Sequence, residues 1–276
     1  MIATIKKTLS IYYQRLLTHS LRCAMNEQGL SDLVRRLEEL VPDITDQYSS
    51  FKIDTPYLNA NVRNIHAFQI ALVNEVIDEF NQPTIVDIGD SSGTHLEYIL
   101  KLHQDMKKIR CLSVNLDSNA VEKIRKKGME AVHARAEELQ NYNINADIFL
   151  CFATLEHLSD PCRFLHELSS KTNAKYLIVT IPYQRHTRVG MYHIRNDRAG
   201  DVSAENTHIV EFCPEDFRLI AQHSGWKIQK ERIYYQYPRR HFLRLTRSIW
   251  KRSDFEGFYG VILAKDSRWS SRYTDW

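Results

Sequence analysis

Residues 84–93 read Thr84-Ile85-Val86-Asp87-Ile88-Gly89-Asp90-Ser91-Ser92-Gly93. A short apolar run closing on Asp and Gly is the pattern of a strand buried on both faces, as in parallel sheets. Gly89 reaches backbone angles barred to other residues and lets the chain approach a ligand closely. Gly93 lets the following helix pack near the strand. The spacing D-x-G-x-S-x-G lacks the Gly-Lys-Ser/Thr of a P-loop and differs from the G-x-G-x-x-G dinucleotide fingerprint. Asp90 is a poor neighbour for a pyrophosphate and suits a cationic or zwitterionic ligand. The alternative is a tight strand–helix turn that holds nothing.

Downstream, strand and helix patterns alternate. Strands are predicted at 109–116, 131–134, 146–151 and 176–181, and two late ones at 226–235 and 257–264. Helices are predicted after Gly93, over 118–127, over 160–169 with Pro161 near the start, and over 214–224 before Gly225. Such alternation predicts an α/β fold with a Rossmann-like, mostly parallel sheet and helices on both faces. The two late strands lack an obvious crossover helix, so an antiparallel strand at one edge is expected. Ligands of such sheets bind beyond the carboxyl ends of the strands. Upstream, residues 1–80 read as an N-terminal helical cap on a domain spanning 81–276. Leu30, Leu33, Val34, Leu37 and Leu40 mark one helix, and Ile65, Phe68, Leu72, Val73, Val76, Ile77 and Phe80 a second. An irregular polar piece lies between, over 42–61. The segment is either a packed cap or a lid over a ligand.

The 276 residues are 43% hydrophobic and 26% charged, which excludes disordered, collagen-like and coiled-coil classes for the bulk of the chain. Net charge is +3, from 37 Lys+Arg against 34 Asp+Glu, so no nucleic-acid partner is expected. No apolar run is long enough to span a membrane. Five scattered cysteines without CxxC, and no signal-peptide pattern, predict a cytoplasmic protein.

Five segments occur in the order found in class I S-adenosylmethionine-dependent methyltransferases, which the chain resembles from about residue 83 to 265. They are VDIGDSSG (86–93), VNLDSNAVEKIRKKG (114–128), ARAEEL (134–139), CFATLEHLSDPCRFLHEL (151–168) and THIVEFCPEDFRLIAQHSGW (207–226). The fourth is similar to the L-E-H-x-x-D-P segment of small-molecule methyltransferases. The resemblance implies a seven-stranded sheet with a reversed last strand. It implies S-adenosyl-L-methionine as cofactor and S-adenosyl-L-homocysteine as product. It also implies that Asp87, Gly89, Ser91 and Gly93 cradle the methionine part, that Asn115, Leu116 and Asp117 meet the ribose, and that Ala136 and Glu137 meet the adenine. Phe152 falls where cofactor and substrate meet. Three positions depart from the family pattern. Ser91 replaces the middle glycine, Asn115 stands where an acid usually accepts both ribose hydroxyls, and Arg135 replaces the acid of the adenine loop. Asp117 either substitutes for the missing acid or caps the next helix.

Methyl transfer to oxygen asks little beyond in-line positioning and a base for the hydroxyl proton. His208 and His157 are the candidate catalytic bases, since imidazole titrates near ~6.5. The related metal-binding pattern is E-x-x-E-H. Here Ala153 takes the place of the first glutamate, so no metal is expected, although Glu156, His157 and His208 remain as ligand types. Residues 182–206 form a polar loop in which Arg185, His186, Arg188, His193 and Arg195 suit a substrate carrying phosphate or carboxylate. Residues 239–252 hold six Lys+Arg and no acid, with Phe242, Leu245, Ile249 and Trp250 at helical spacing. That is either an ordinary amphipathic helix or a peripheral membrane contact. The expected activity is O-methylation of a small-molecule or sugar-type acceptor. The alternatives are a degenerate methyltransferase-fold module that binds without turnover, and an RNA methyltransferase.

Overall fold

The computed structural model describes residues 2–105, 108–203, 207–253 and 255–274. In chain order the helices and strands are α1 (Ile2–Glu27), α2 (Ser31–Leu40), α3 (Pro56–Asn74), β1 (Thr84–Ile88), α4 (Thr94–His103), β2 (Arg110–Asn115), α5 (Ser118–Lys126), β3 (Glu130–His133) and β4 (Ile148–Phe152). They continue with α6 (Pro161–Lys171), β5 (Tyr176–Pro182), β6 (Arg188–Val189), α7 (Tyr192–Arg195), β7 (Val210–Glu211), α8 (Pro214–His223), β8 (Trp226–Tyr235), α9 (Arg247–Ser253) and β9 (Gly257–Lys265).

The main sheet has seven strands in the order β3-β2-β1-β4-β5-β9-β8. Neighbours from β3 to β5 are parallel. The reversed strand β9 lies between β5 and the edge strand β8, antiparallel to both. Parallel strands covered on both faces must be apolar on both, and every residue of β4 and β5 is buried. The two-residue period sorts them. Ile148, Leu150 and Phe152 join one core with Ile85, Ile178 and Ile262, while Phe149 and Cys151 join the other with Val86, Ile88 and Val179.

Helix α3 begins at Pro56, inside the stretch expected to be irregular, because Thr55 caps it by accepting from the Leu58 backbone N–H. It packs in the first core, and Phe68 and Leu72 come so close to β9 that a Cβ at Gly260 would lie 2.5 Å from Phe68 Cζ. The helical layer and the sheet therefore share one core. Helix α1 is held elsewhere. Its Leu17 and Leu21 pack with Tyr237 and Trp250, and Glu27 accepts backbone N–H bonds from Arg239, Arg240 and His241.

The basic stretch 239–252 is not one amphipathic helix. A 3-10 turn over Phe242–Thr246 precedes α9. The change of pitch rotates the apolar residues apart. Phe242 and Leu245 are exposed, whereas Leu243 and Trp250 are buried. Among the described residues, no helix is long and apolar enough to cross a membrane. All five cysteines are free.

Candidate functional site

The turn after β1 is built around Gly89, at φ +90°. Its N–H reaches the Val114 carbonyl on β2 (2.8 Å). A Cβ there would lie 2.3 Å from Thr154 Oγ1, so the missing side chain makes room for Thr154 from the loop after β4. Thr154 Oγ1 in turn donates to the carbonyls of Ile88 (3.1 Å) and Phe152 (3.0 Å) and locks the ends of β1 and β4 together. Gly93 is also left-handed, at φ +77°, and opens α4.

Beneath the turn lies a buried polar chain. Asp87 Oδ2 is 3.0 Å from His95 Nδ1, and Asp90 Oδ1 is 3.6 Å from the same nitrogen. His95 Nε2 meets Gln69 Oε1 (3.0 Å), and Gln69 donates to Thr180 Oγ1 on β5 (3.1 Å). Burial disfavours the His95 cation, but the Asp87 hydrogen bond and the two carboxylate charges outweigh it and raise its pKa. Burial, and then the Asp87 charge, push the Asp90 carboxyl up to about 7. Both Asp90 side-chain oxygens are buried, with only the Ser92 backbone N–H and the His95 ring, 3.6 Å away, to meet them among the described residues. Buried polar groups are ordinarily paired, so this carboxyl fits a cationic group such as a ligand ammonium.

The other predicted cofactor residues lie at or just after the carboxyl ends of β2, β3 and β4, on the same end of the sheet as the turn. Asn115 does not present a bare amide. Its Nδ2 donates to the Asp90 carbonyl (2.9 Å) and its Oδ1 accepts from the Asp117 N–H (2.7 Å), tying β2 to the turn. Asp117 caps α5 by accepting from the Asn119 N–H (2.9 Å), and accepts from Ser49 Oγ (2.7 Å). Capping, one of its two expected roles, is thus the one its contacts display. Leu116 is exposed. Ala136 starts a 3-10 turn after β3, and Glu137 accepts from Ser159 (N 3.3 Å, Oγ 3.2 Å), which joins the adenine-side loop to the loop after β4. Arg135 lies 3.8 Å from Glu137 Oε2. Phe152 is buried, with its ring edge-on to His95 (5.1 Å). Above the turn, Gln47 accepts from Ser92 Oγ (2.8 Å) and from Thr94 Oγ1, and Lys123 donates to the Asp46 carbonyl (3.2 Å). Residues 46–49 therefore straddle the turn and the start of α5.

His157 and His208 meet on the other side of β4. Their rings pack edge to face at 4.7 Å. His208 Nδ1 is 2.7 Å from Glu211 Oε1, and His157 Nδ1 is 3.0 Å from the Thr207 carbonyl. Burial lowers the His208 pKa, but the Glu211 hydrogen bond and the charges of Glu156 and Glu211 raise it overall. Burial pushes Glu156 up to about 7, against the pull of His208. Ligand atoms of Glu156, His157 and His208 lie within 4.8 Å of one another, as do those of Asp87, Asp90 and His95. Either group has donors suited to a divalent cation.

The 182–206 loop carries more local structure than its composition predicts. β6 pairs with β7, and α7 lies between them in the chain. Arg195 donates to the carbonyls of Gly190 and Val189 and braces this hairpin. Arg185, His186 and Arg188 instead line a cavity of about 370 Å³, which Lys251, Phe255 and Glu256 complete. His193 and Arg195 are not among its lining residues. Sequence reasoning missed His95, Gln69, Gln47, Glu211 and Glu256. Glu211 lies inside the fifth motif, three residues after His208, but only the folded loop shows the two side chains in contact. Gln69 and Gln47 meet partners 111 and 45 positions away.

Residues 86–173 match the family described as a methyltransferase domain. Among curated proteins the chain is 23% identical over 170 residues to a tRNA U34 carboxymethyltransferase of Campylobacter jejuni, a match covering 60% of this chain and 56% of that protein. The chain therefore spans about half the length of that relative. Among solved structures, a 1,6-didemethyltoxoflavin-N1-methyltransferase of Burkholderia thailandensis, with its substrate and S-adenosylhomocysteine bound, aligns with TM-score 0.51, 12% identity and 86% of both chains. The (4+2)-cyclase SpnF aligns with TM-score 0.54, 15% identity, 86% of this chain and 95% of that one. A cyclase among the neighbours illustrates that fold does not by itself give the reaction. The chain has the fold of the class I methyltransferases, and its residues 86–173 match a methyltransferase domain.

Proposed function

We infer that the chain transfers a methyl group from S-adenosylmethionine to a hydroxyl of a small-molecule or sugar-type acceptor, with His208 as general base. The observation that carries this reading is the His208–Glu211 pair at 2.7 Å. A buried carboxylate on Nδ1 fixes the imidazole so that Nε2 faces away from Glu211, and it stabilises the imidazolium formed on proton uptake. His157, ring against ring, holds the orientation.

The turn 87–93, Leu116 and Ala136 would hold the cofactor, with the buried Asp90 carboxyl toward its ammonium. Bound there, S-adenosylmethionine supplies a methyl already activated on a positively charged sulfur. The chain's own tasks are then to align the acceptor hydroxyl and to take its proton at His208 Nε2. Residues 46–49 close over the cofactor end as a lid, through Gln47 and Ser49. Calorimetric titration with S-adenosylmethionine and S-adenosylhomocysteine is the first test. Micromolar binding, about −8 kcal/mol, supports the reading. No binding would make the chain a methyltransferase-fold module without turnover.

A second reading comes from the tRNA carboxymethyltransferase relatives, which favour an RNA acceptor. The expectation of no nucleic-acid partner thus lacks support from them, although the +3 net charge disfavours an extended phosphate interface. An RNA affinity that falls steeply with salt would establish this reading over the first.

A further inference from the structure

We propose that the 370 Å³ cavity beyond β5 and the start of β9 seats a phosphate monoester carried by the acceptor. The proposal rests on the reading of His208 as the base. The cavity and the base share a wall. Phe255, which lines the cavity, stacks on the His208 ring at 5.4 Å and 12°. Glu211, the partner of His208, also accepts from Arg188 Nε and from Gln184 Nε2 (3.0 Å). An anion in the cavity would therefore sit against the residues that orient the base.

Charge identifies the class of anion. Glu256 is buried, and three cations surround it, with Arg247 Nε at 3.1 Å, Lys251 Nζ at 3.3 Å and Arg185 Nε at 3.8 Å. Arg188 pairs with Glu211. Among the described residues, these four cations against two carboxylates leave a surplus of two positive charges. One carboxylate or one phosphodiester would balance half of it. A phosphate monoester, at about −1.5 to −2 near pH 7, balances it.

Donor geometry agrees. Arg188 uses only Nε on Glu211, and its guanidinium lies 5.5 Å over the Tyr192 ring, which fixes its plane. Its terminal amino groups, beside the Tyr192 hydroxyl, are the donors that would meet a phosphate. Arg185 is too far from Glu256 for a hydrogen bond and keeps its whole fork. The volume falls at the small end of ligand pockets, about 300–1,000 Å³, which suits a sugar phosphate.

The test is calorimetry on the full chain at constant ionic strength, with phenyl phosphate as the monoester, dimethyl phosphate as the diester and acetate as the carboxylate. Phenyl phosphate should bind at least ~10-fold tighter than either of the others, about 1.4 kcal/mol. Arg188→Ala and Lys251→Ala should each weaken it by about the same factor while leaving S-adenosylmethionine affinity unchanged. Equal affinity for the three probes, or unchanged monoester affinity in both variants, overturns the proposal. So does an oligoribonucleotide that binds, and loses affinity in these variants, where the monoester does not bind. If S-adenosylmethionine binds and the monoester does not, the cavity assignment alone fails. If the monoester binds and S-adenosylmethionine does not, methyl transfer fails and the anion site stands.

Discussion

Substituting Gly89 tests whether the turn is set by its backbone angle alone or also by Thr154. At φ +90° an L-residue costs about 1–2 kcal/mol. A new Cβ would also sit 2.3 Å from Thr154 Oγ1 and 2.9 Å from its Cγ2. The Thr154 side chain cannot retreat without surrendering its bonds to the Ile88 and Phe152 carbonyls, a loss of about 1 kcal/mol. Gly89→Ala should therefore destabilise by about 2–3 kcal/mol, a fall in Tm of about 4–10 °C for a chain of this size. In a Thr154→Ala background the hydroxyl and methyl are gone, and the nearest remaining atom is Thr154 Cβ at 3.2 Å. There the cost should shrink to the backbone part, about 1–2 kcal/mol. Denaturant unfolding of the four proteins gives a coupling of about 1 kcal/mol. Strictly additive costs would refute the claim that Gly89 exists to admit Thr154. The bulkier Gly89→Val should lose cofactor binding in calorimetry while keeping native circular dichroism, and unchanged affinity would remove the turn from the cofactor site.

Other expectations follow from the buried groups. His208→Ala should slow turnover far more than it weakens cofactor binding, and equal turnover would remove His208 as base. Glu211→Gln removes the carboxylate charge that helps raise the His208 pKa and leaves only a neutral acceptor on Nδ1. A base works unprotonated, so the acid limb of kcat against pH should move to lower pH as kcat falls; an unmoved limb would show that His208 is not the titrating group. Asp90 titrates at about 7 in the folded chain against ~3.9 unfolded. The folded state thus binds the extra proton between these values, and stability falls as pH rises from about 4 to 7. Asp90→Asn should flatten that fall in Tm measured against pH, and an unchanged slope would contradict the buried-carboxyl assignment. Trp250→Ala should cost about 3–5 kcal/mol by emptying the contact with Leu17 and Leu21, seen as early proteolysis of α1; resistance equal to the parent would refute this. EDTA should leave turnover intact, and its loss would make Glu156, His157 and His208 a metal site.

The strands, the helices after them and the Gly89 turn were legible along the chain because their signals are local. Apolar runs, a capping Asp or a proline at a helix start act within a few residues. The mostly parallel sheet followed from that alternation, and its seven strands from the resemblance carried by five ordered motifs. The segment 239–252 shows the limit of periodicity. Helical spacing joined Phe242 and Trp250 on one face, but contact with α1 buries Trp250 alone and the 3-10 turn leaves Phe242 outside. The site's electrostatics were illegible for a related reason. Gln69 finds Thr180 across 111 positions, Gln47 finds Ser92 across 45, and Arg188 finds Glu211 across 23. A side chain's charge is written in the sequence. Its pKa, its partner and the cavity it faces depend on which distant residues burial brings beside it, and folding alone sets that.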